Sequence, residues 1–391
     1  MPRHEWGPLA PRFASPRPQR RLLALDGGGI RGIITLEILT ELERQLAARS
    51  PDPAAFRLCD YFDYVAGTST GAIIAAGIAR GLTCREMLDI YLKQGDQIFD
   101  KAFILHRIRN FYKAEPVAEI LKQRLGSAST LEPEHLRTLL LVVTHNVTTD
   151  SPWPVSSNPL AKYNDLDRPD CNLRIPLWQV VRASTAAPVY FPPEVLNWDR
   201  NDPEKAFVFV DGGMTPYNNP AFVLYRMATA PEYRLGWDVG EDKLLVVSVG
   251  TGAAPSGGPD VDDSHRNLFS NIAAIPGGLM YAMLNDQDIN CRTVGRCTFG
   301  APIDREVGDM IPRNADGTLV PLSRNLGRAF LYARYNAELS PEGLAAMGLS
   351  DIRPKDVQQL DSVEHVDKLS RIGQAVAKQV SLAHLGSFAP A

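Results

Sequence analysis

The segment Gly67-Thr68-Ser69-Thr70-Gly71 narrows most what this chain can become. Before it, Tyr61 to Thr68 reads as a strand; after it, the small-residue run Gly71 to Ala79 suits a closely packed helix. A serine in that setting fits the G-x-S-x-G elbow, where a sharp strand-to-helix turn exposes the hydroxyl and the flanking glycines let backbone and helix approach. The helix N-terminus also directs its dipole toward charge developing at the serine. The setting predicts Ser69 as a nucleophile; the plainer alternative is a tight turn with a capping serine.

The rest of the chain alternates in the same way. Arg21 to Asp26 is an apolar run closed by glycines, as in a buried strand. Ile34, Ile38, Leu42 and Leu46 then recur every fourth position among Glu37, Glu41 and Arg44, the pattern of an amphipathic helix. Further strands are expected at Leu139 to Thr144, Phe207 to Val210 and Leu244 to Val249, with helices at Leu177 to Ala187 and Leu268 to Asn285. This order predicts a mainly parallel sheet covered on both faces, with a loop at Gly252 to Asp263. Residues 1–20, rich in proline and carrying Arg3, Arg12, Arg17 and Arg20, read as a flexible tail, with a weak anchor for anionic headgroups as the functional alternative. Residues 21–320 form the expected catalytic domain and 321–391 a C-terminal extension packed on it or following it.

Composition limits the function. A net charge of -4 disfavours a partner that is a nucleic-acid polymer. Five cysteines without a C-x-x-C pair indicate reduced thiols and a cytoplasmic protein. No apolar run is long enough to span a bilayer, so a lipid substrate would be met from the water side, with peripheral membrane contact. The histidines show no zinc-binding spacing, and Asp260, Asp262, Asp263 and His265 read as a solvated loop, so neither metal nor cofactor is expected.

Asp26-Gly27-Gly28-Gly29-Ile30-Arg31-Gly32 contains a literal G-x-G-x-x-G between strand and helix, which opens a dinucleotide-binding alternative. That fingerprint needs an acidic residue ending the second strand. The nearest candidate, Asp52, lies in a turn between Pro51 and Pro53, and the second strand ends on the serine elbow instead. The other use of such a loop is an oxyanion hole, in which glycine amides converge on a carbonyl oxygen gaining charge. Phe207 to Val210 leads into Asp211-Gly212-Gly213, which puts a candidate base at the carboxyl end of what reads as a parallel strand. A third alternative is a regulatory binding protein on the same scaffold, and the presence of both Ser69 and Asp211 speaks against it.

In this order and spacing the three motifs resemble the patatin-like phospholipase family, whose D-G-G-G-x-[RK]-G, G-x-S-x-G and D-G-[AG] appear as Asp26–Gly32, Gly67–Gly71 and Asp211–Gly213. Arg182 to Phe191 looks like the family's A-S-x-A-A-P-x-Y-F stretch, and Asn218-Asn219-Pro220 also looks familiar. The resemblance implies a three-layer α/β/α fold and cleavage of acyl esters in phospholipids or other glycerolipids. It implies Ser69 as nucleophile, Asp211 as base without a histidine, and the amides of Gly28 and Gly29 as oxyanion hole. Arg31 matches the family's basic position, where an ion pair and a substrate contact are equally open. Some bacterial members are switched on by cyclic nucleotides; this sequence identifies no sensor site.

Overall fold

The computed structural model describes residues 3–99, 116–188, 191–199, 201–254 and 268–390. Its centre is built from the apolar runs. β1 (Arg20–Leu25), β2 (Tyr64–Thr68), β3 (Leu139–Asn146) and β7 (Leu244–Val249) lie in parallel, ordered β3-β2-β1-β7. They read as unbroken hydrophobic segments because both faces are covered. Leu23, Leu25 and Val65 face one core with α1 (Gly32–Ala47) and α2 (Thr70–Arg80). Leu22, Ala24, Tyr64 and Ala66 face a second core on the other side of the sheet.

Five further strands complete a nine-stranded sheet: β4 (Ser151–Ser156), β5 (Glu194–Asp199), β6 (Asp202–Asp211), β8 (Arg296–Phe299) and β9 (Leu331–Tyr335). β9 lies between β7 and β8, parallel to both. β4 and β6 both run antiparallel to β3, and β5 antiparallel to β6. The expectation that Asp211 ends a parallel strand is therefore corrected. The apolar run before it was legible, but its direction depends on which edge it joins, and that is a long-range matter.

The reading of the N-terminal segment also changes. Residues 6–13 are no tail: Trp6, Leu9 and Phe13 are buried, Trp6 stacks on Phe13 at 5.3 Å, and Phe13 stacks on Trp237 at 6.2 Å. Arg12 pairs with the buried Asp63 at 3.0 Å, and the buried Arg20 lies over the Trp237 ring at 4.8 Å. Aliphatic content understated what two aromatics and two stacked guanidiniums can cover. Trp6→Ala should lower unfolding free energy by roughly 3 kcal/mol in urea titration. Deletion of residues 2–20 should destabilise the protein and reduce activity even on soluble esters.

The residues after 320 are packed on the rest of the chain. β9, inside the supposed extension, is fully buried within the sheet. Beyond it the helix Val366–Ala377 packs on α1, where Ser370 Oγ donates to Glu37 and Gly373 approaches Glu37 too closely to carry a side chain.

Candidate active site

Ser69 sits between β2 and α2 with φ 54° and ψ −122°, a left-handed backbone that non-glycine residues rarely adopt. The turn is tight because helix and sheet are pressed together. A Cβ on Gly67 would lie 2.0 Å from the Gly71 carbonyl oxygen, and one on Gly71 would lie 2.3 Å from that of Leu25. The Ser69 amide donates to Ser184 Oγ (2.9 Å), which donates to the Val143 carbonyl (2.6 Å). The sequence singled out the stretch containing Ser184 without giving that residue a role.

Asp211 reaches Ser69 through strand register. β2 pairs with β3 as far as Thr68 opposite Val143, and β6 begins where β2 ends, with Asp211 opposite Thr144. β4 occupies the other edge of β3 over the same residues. β2 and β6 therefore meet end to end along one edge of β3, and their carboxyl ends converge. Ser69 Oγ donates to Asp211 Oδ2 at 2.6 Å, while Asp211 Oδ1 accepts from the Gly213 amide at 2.7 Å. Burial pushes the Asp211 carboxyl up to about 6, against the opposing hydrogen bonds from Ser69 and Gly213 and the charge of Arg182. A carboxylate of that basicity is poised to take a proton near neutral pH.

The glycine loop closes the site from the β1 side. The Gly27 amide donates to the Asn218 carbonyl (3.0 Å), Ile30 to Leu360 (2.9 Å) and Arg31 to Gly28 (3.2 Å). Among the described residues the amides of Gly28 and Gly29 have no acceptor. Gly29 takes φ 59°, and a Cβ there would meet the Leu360 carbonyl oxygen at 2.2 Å. The turn thus requires glycine on both conformational and steric grounds. A Cβ on Gly27 would stand 3.3 Å from Ser69 Cβ, so the glycine loop lies directly against the serine elbow. Gly32 begins α1 against Tyr91, and Gly212 packs on the Val143 carbonyl. Arg31 turns back on its own loop, with Nε 3.4 Å from the Gly28 carbonyl, and burial pulls its guanidinium down to about 10.

The sequence profile of patatin-like phospholipases matches residues 23–225, a little over half of the chain. This chain belongs to the patatin-like phospholipase family. It is 32% identical over 230 residues to a cGAMP-activated phospholipase of Vibrio cholerae serotype O1, covering 55% of this chain and 59% of that protein. A cGAMP-activated phospholipase of Escherichia coli (strain TW11681) is 30% identical over 242 residues, 60% of this chain and 63% of the relative. Patatin-17 of Solanum cardiophyllum is 30% identical over 245 residues, 59% and 60% of the two chains. The alignments thus span about three fifths of these curated relatives.

In this patatin-like chain, a residue outside the matched region anchors the glycine loop. Arg334 on β9 holds Asp26 in a buried two-pronged ion pair (2.5 and 2.8 Å) and donates to Ser248 Oγ (2.7 Å). The one visible signal was a charge inside the apolar run Phe330 to Tyr335. Removing one partner of such a pair leaves an uncompensated buried charge. Arg334→Met should therefore cost about 4 kcal/mol of stability in denaturant melts. It should also lower esterase activity at temperatures where the variant remains folded.

Among the described residues no histidine is hydrogen-bonded to Ser69. His135 pairs with Thr130, His145 approaches Asp150, His365 approaches Asp356, and His384 bonds Tyr335 while stacking on Phe299. The side chains of His4, His106 and His265 lie outside the described residues, as does the acidic loop Asp260 to His265. Among the described residues no group of three potential metal ligands occurs. No described helix is long and apolar enough to cross a membrane.

Proposed function

We propose that this protein is a lipid acyl hydrolase of the phospholipase A or lysophospholipase type, working through a Ser69–Asp211 dyad. The observation that carries the reading is the 2.6 Å hydrogen bond from a strained elbow serine to a buried carboxylate of raised basicity. Ser69 Oγ attacks the ester carbonyl as its proton passes to Asp211. The carbonyl oxygen, now negative, meets the Gly28 and Gly29 amides at the start of α1, and a single donor of this kind lowers a barrier by about 3 kcal/mol. Collapse expels the alcohol part of the lipid, which leaves with the proton from Asp211, and water then releases the fatty acid by the same steps.

An apolar approach supports a lipid substrate. Met280, on the helix Leu268–Val294, stands near Gly213, its methyl 3.7 Å from where a Cβ on that glycine would lie. Leu279 beside it and Met214 after the glycine turn are each 53% exposed. Such side chains suit peripheral contact with a membrane surface. A cyclic-nucleotide activator enters this reading only through similarity to the two cGAMP-activated relatives. The test is fatty-acid release from a phospholipid panel, with and without cGAMP. Release that disappears with Ser69 is expected, and a protein inert on every lipid and activator would overturn the reading.

A further inference from the structure

We propose that Asn218 is a catalytic residue that holds the hydrolytic water for release of the acyl group from Ser69; this rests on the Ser69–Asp211 hydrolase above. Asn218 is 4% exposed, and its Oδ1 accepts no hydrogen bond among the described residues. Native proteins rarely leave a buried carboxamide oxygen without a donor, and exceptions cluster where a ligand or water completes the site. The atom is directed at the chemistry. A Cβ on Gly27 would stand 2.3 Å from Asn218 Oδ1 and 3.3 Å from Ser69 Cβ. One on Gly213 would stand 3.1 Å from Asn218 Oδ1 and 3.1 Å from Asp211 Oδ1. The carboxamide therefore lies between Gly27 and Gly213, close to both members of the dyad.

The residue is also held rigidly. Its carbonyl accepts from the Gly27 amide (3.0 Å), and the carbonyl of Tyr217 before it accepts from Thr68 Oγ1 (2.7 Å). Asn219 after it caps Ala221 and accepts from Ser248 Oγ. A side chain fixed in this way can orient a water more sharply than one on a loose loop.

Two acceptors, Asp211 and Asn218, can take the two hydrogens of one water and turn its lone pair toward the acyl carbon on Ser69. The water oxygen bonds that carbon as one proton passes to Asp211. The tetrahedral adduct then expels Ser69 Oγ, which recovers the proton from Asp211, and the fatty acid leaves carrying the new oxygen. Asn218 exchanges no proton. Acylation does not use this water, so the residue should matter in deacylation and little before it.

Asn218→Ala removes no side-chain hydrogen bond to the described residues and is expected to fold. With a p-nitrophenyl ester it should give a full burst of one p-nitrophenol per active site, then turn over about 100-fold more slowly than wild type, the loss expected when a reactant is no longer held in place. A fluorophosphonate should still label Ser69 at close to the wild-type rate. Turnover close to wild type, or an equal loss of labelling and turnover, would overturn the proposal. Asn218→Asp is isosteric and keeps an acceptor, so it should deacylate. Its charge beside Asp211 should move the acid limb of turnover to higher pH, and an unmoved limb would count against the placement. Undiminished turnover by folded Ser69→Ala would instead overturn the hydrolase reading itself, a result separable from any of these.

Discussion

Replacing Ser69 with alanine is expected to lower ester hydrolysis by at least about three orders of magnitude, the loss seen when a serine hydrolase loses its nucleophile. The backbone should survive the change. The turn is fixed by the contact of Gly67 with Gly71 and by the bond from the Ser69 amide to Ser184, and none of these uses the hydroxyl. A fluorophosphonate should label the wild type at Ser69 and leave the variant untouched. The strain at this position gives a second handle. A non-glycine residue held at φ 54° costs on the order of 1–3 kcal/mol. Ser69→Gly should therefore be inactive yet melt at a higher temperature than Ser69→Ala. Near-wild-type turnover by either folded variant would rule out Ser69 as the nucleophile.

Asp211→Asn should be as damaging despite being nearly isosteric, because an amide cannot take the serine proton. Single replacement of His265, His365 or His384, the histidines that follow Asp211 in the chain, should leave most activity; a folded histidine variant as dead as Ser69→Ala would replace the dyad with a triad. The pH profile tests the same assignment. Asp211 must be ionised to act as base, and burial raises its carboxyl from 3.8 to about 6. Activity should therefore be flat above that value and fall as pH drops through it, reaching about a tenth of the plateau one pH unit below. The sign for stability is opposite. An acid whose folded pKa lies above its unfolded value destabilises the fold once pH exceeds the unfolded value, and the cost is complete above the folded one. That cost is roughly 3 kcal/mol for a displacement of this size, so Asp211→Asn should melt above the wild type at pH 8 and show little difference at pH 3.

Chemistry-bearing residues were legible wherever the signal is local. The β1 run closed by three glycines, the elbow and the Asp-Gly-Gly turn each declare themselves within nine residues, because chain reversal and close backbone approach depend on neighbouring residues. Helix α1 was legible from its spacing of Ile34, Ile38, Leu42 and Leu46, all of them buried. The N-terminal segment was misread because its packing rests on Trp237 and Asp63, both remote in sequence. Arg334 was passed over for the same reason: Asp26, its partner, lies 308 residues away.

The sequence by itself determined that a serine elbow, a glycine loop and an aspartate turn exist, since each is written in a short stretch whose backbone admits few other residues. Only the tertiary structure decided that they form one site. β6 must run antiparallel to β3 and take up its edge one residue beyond the end of β2, so that Thr68 and Asp211 stand opposite the successive residues Val143 and Thr144. Strand direction and register are set by pairings across the whole sheet, and a slip of one residue would turn the Asp211 side chain to the opposite face, away from Ser69.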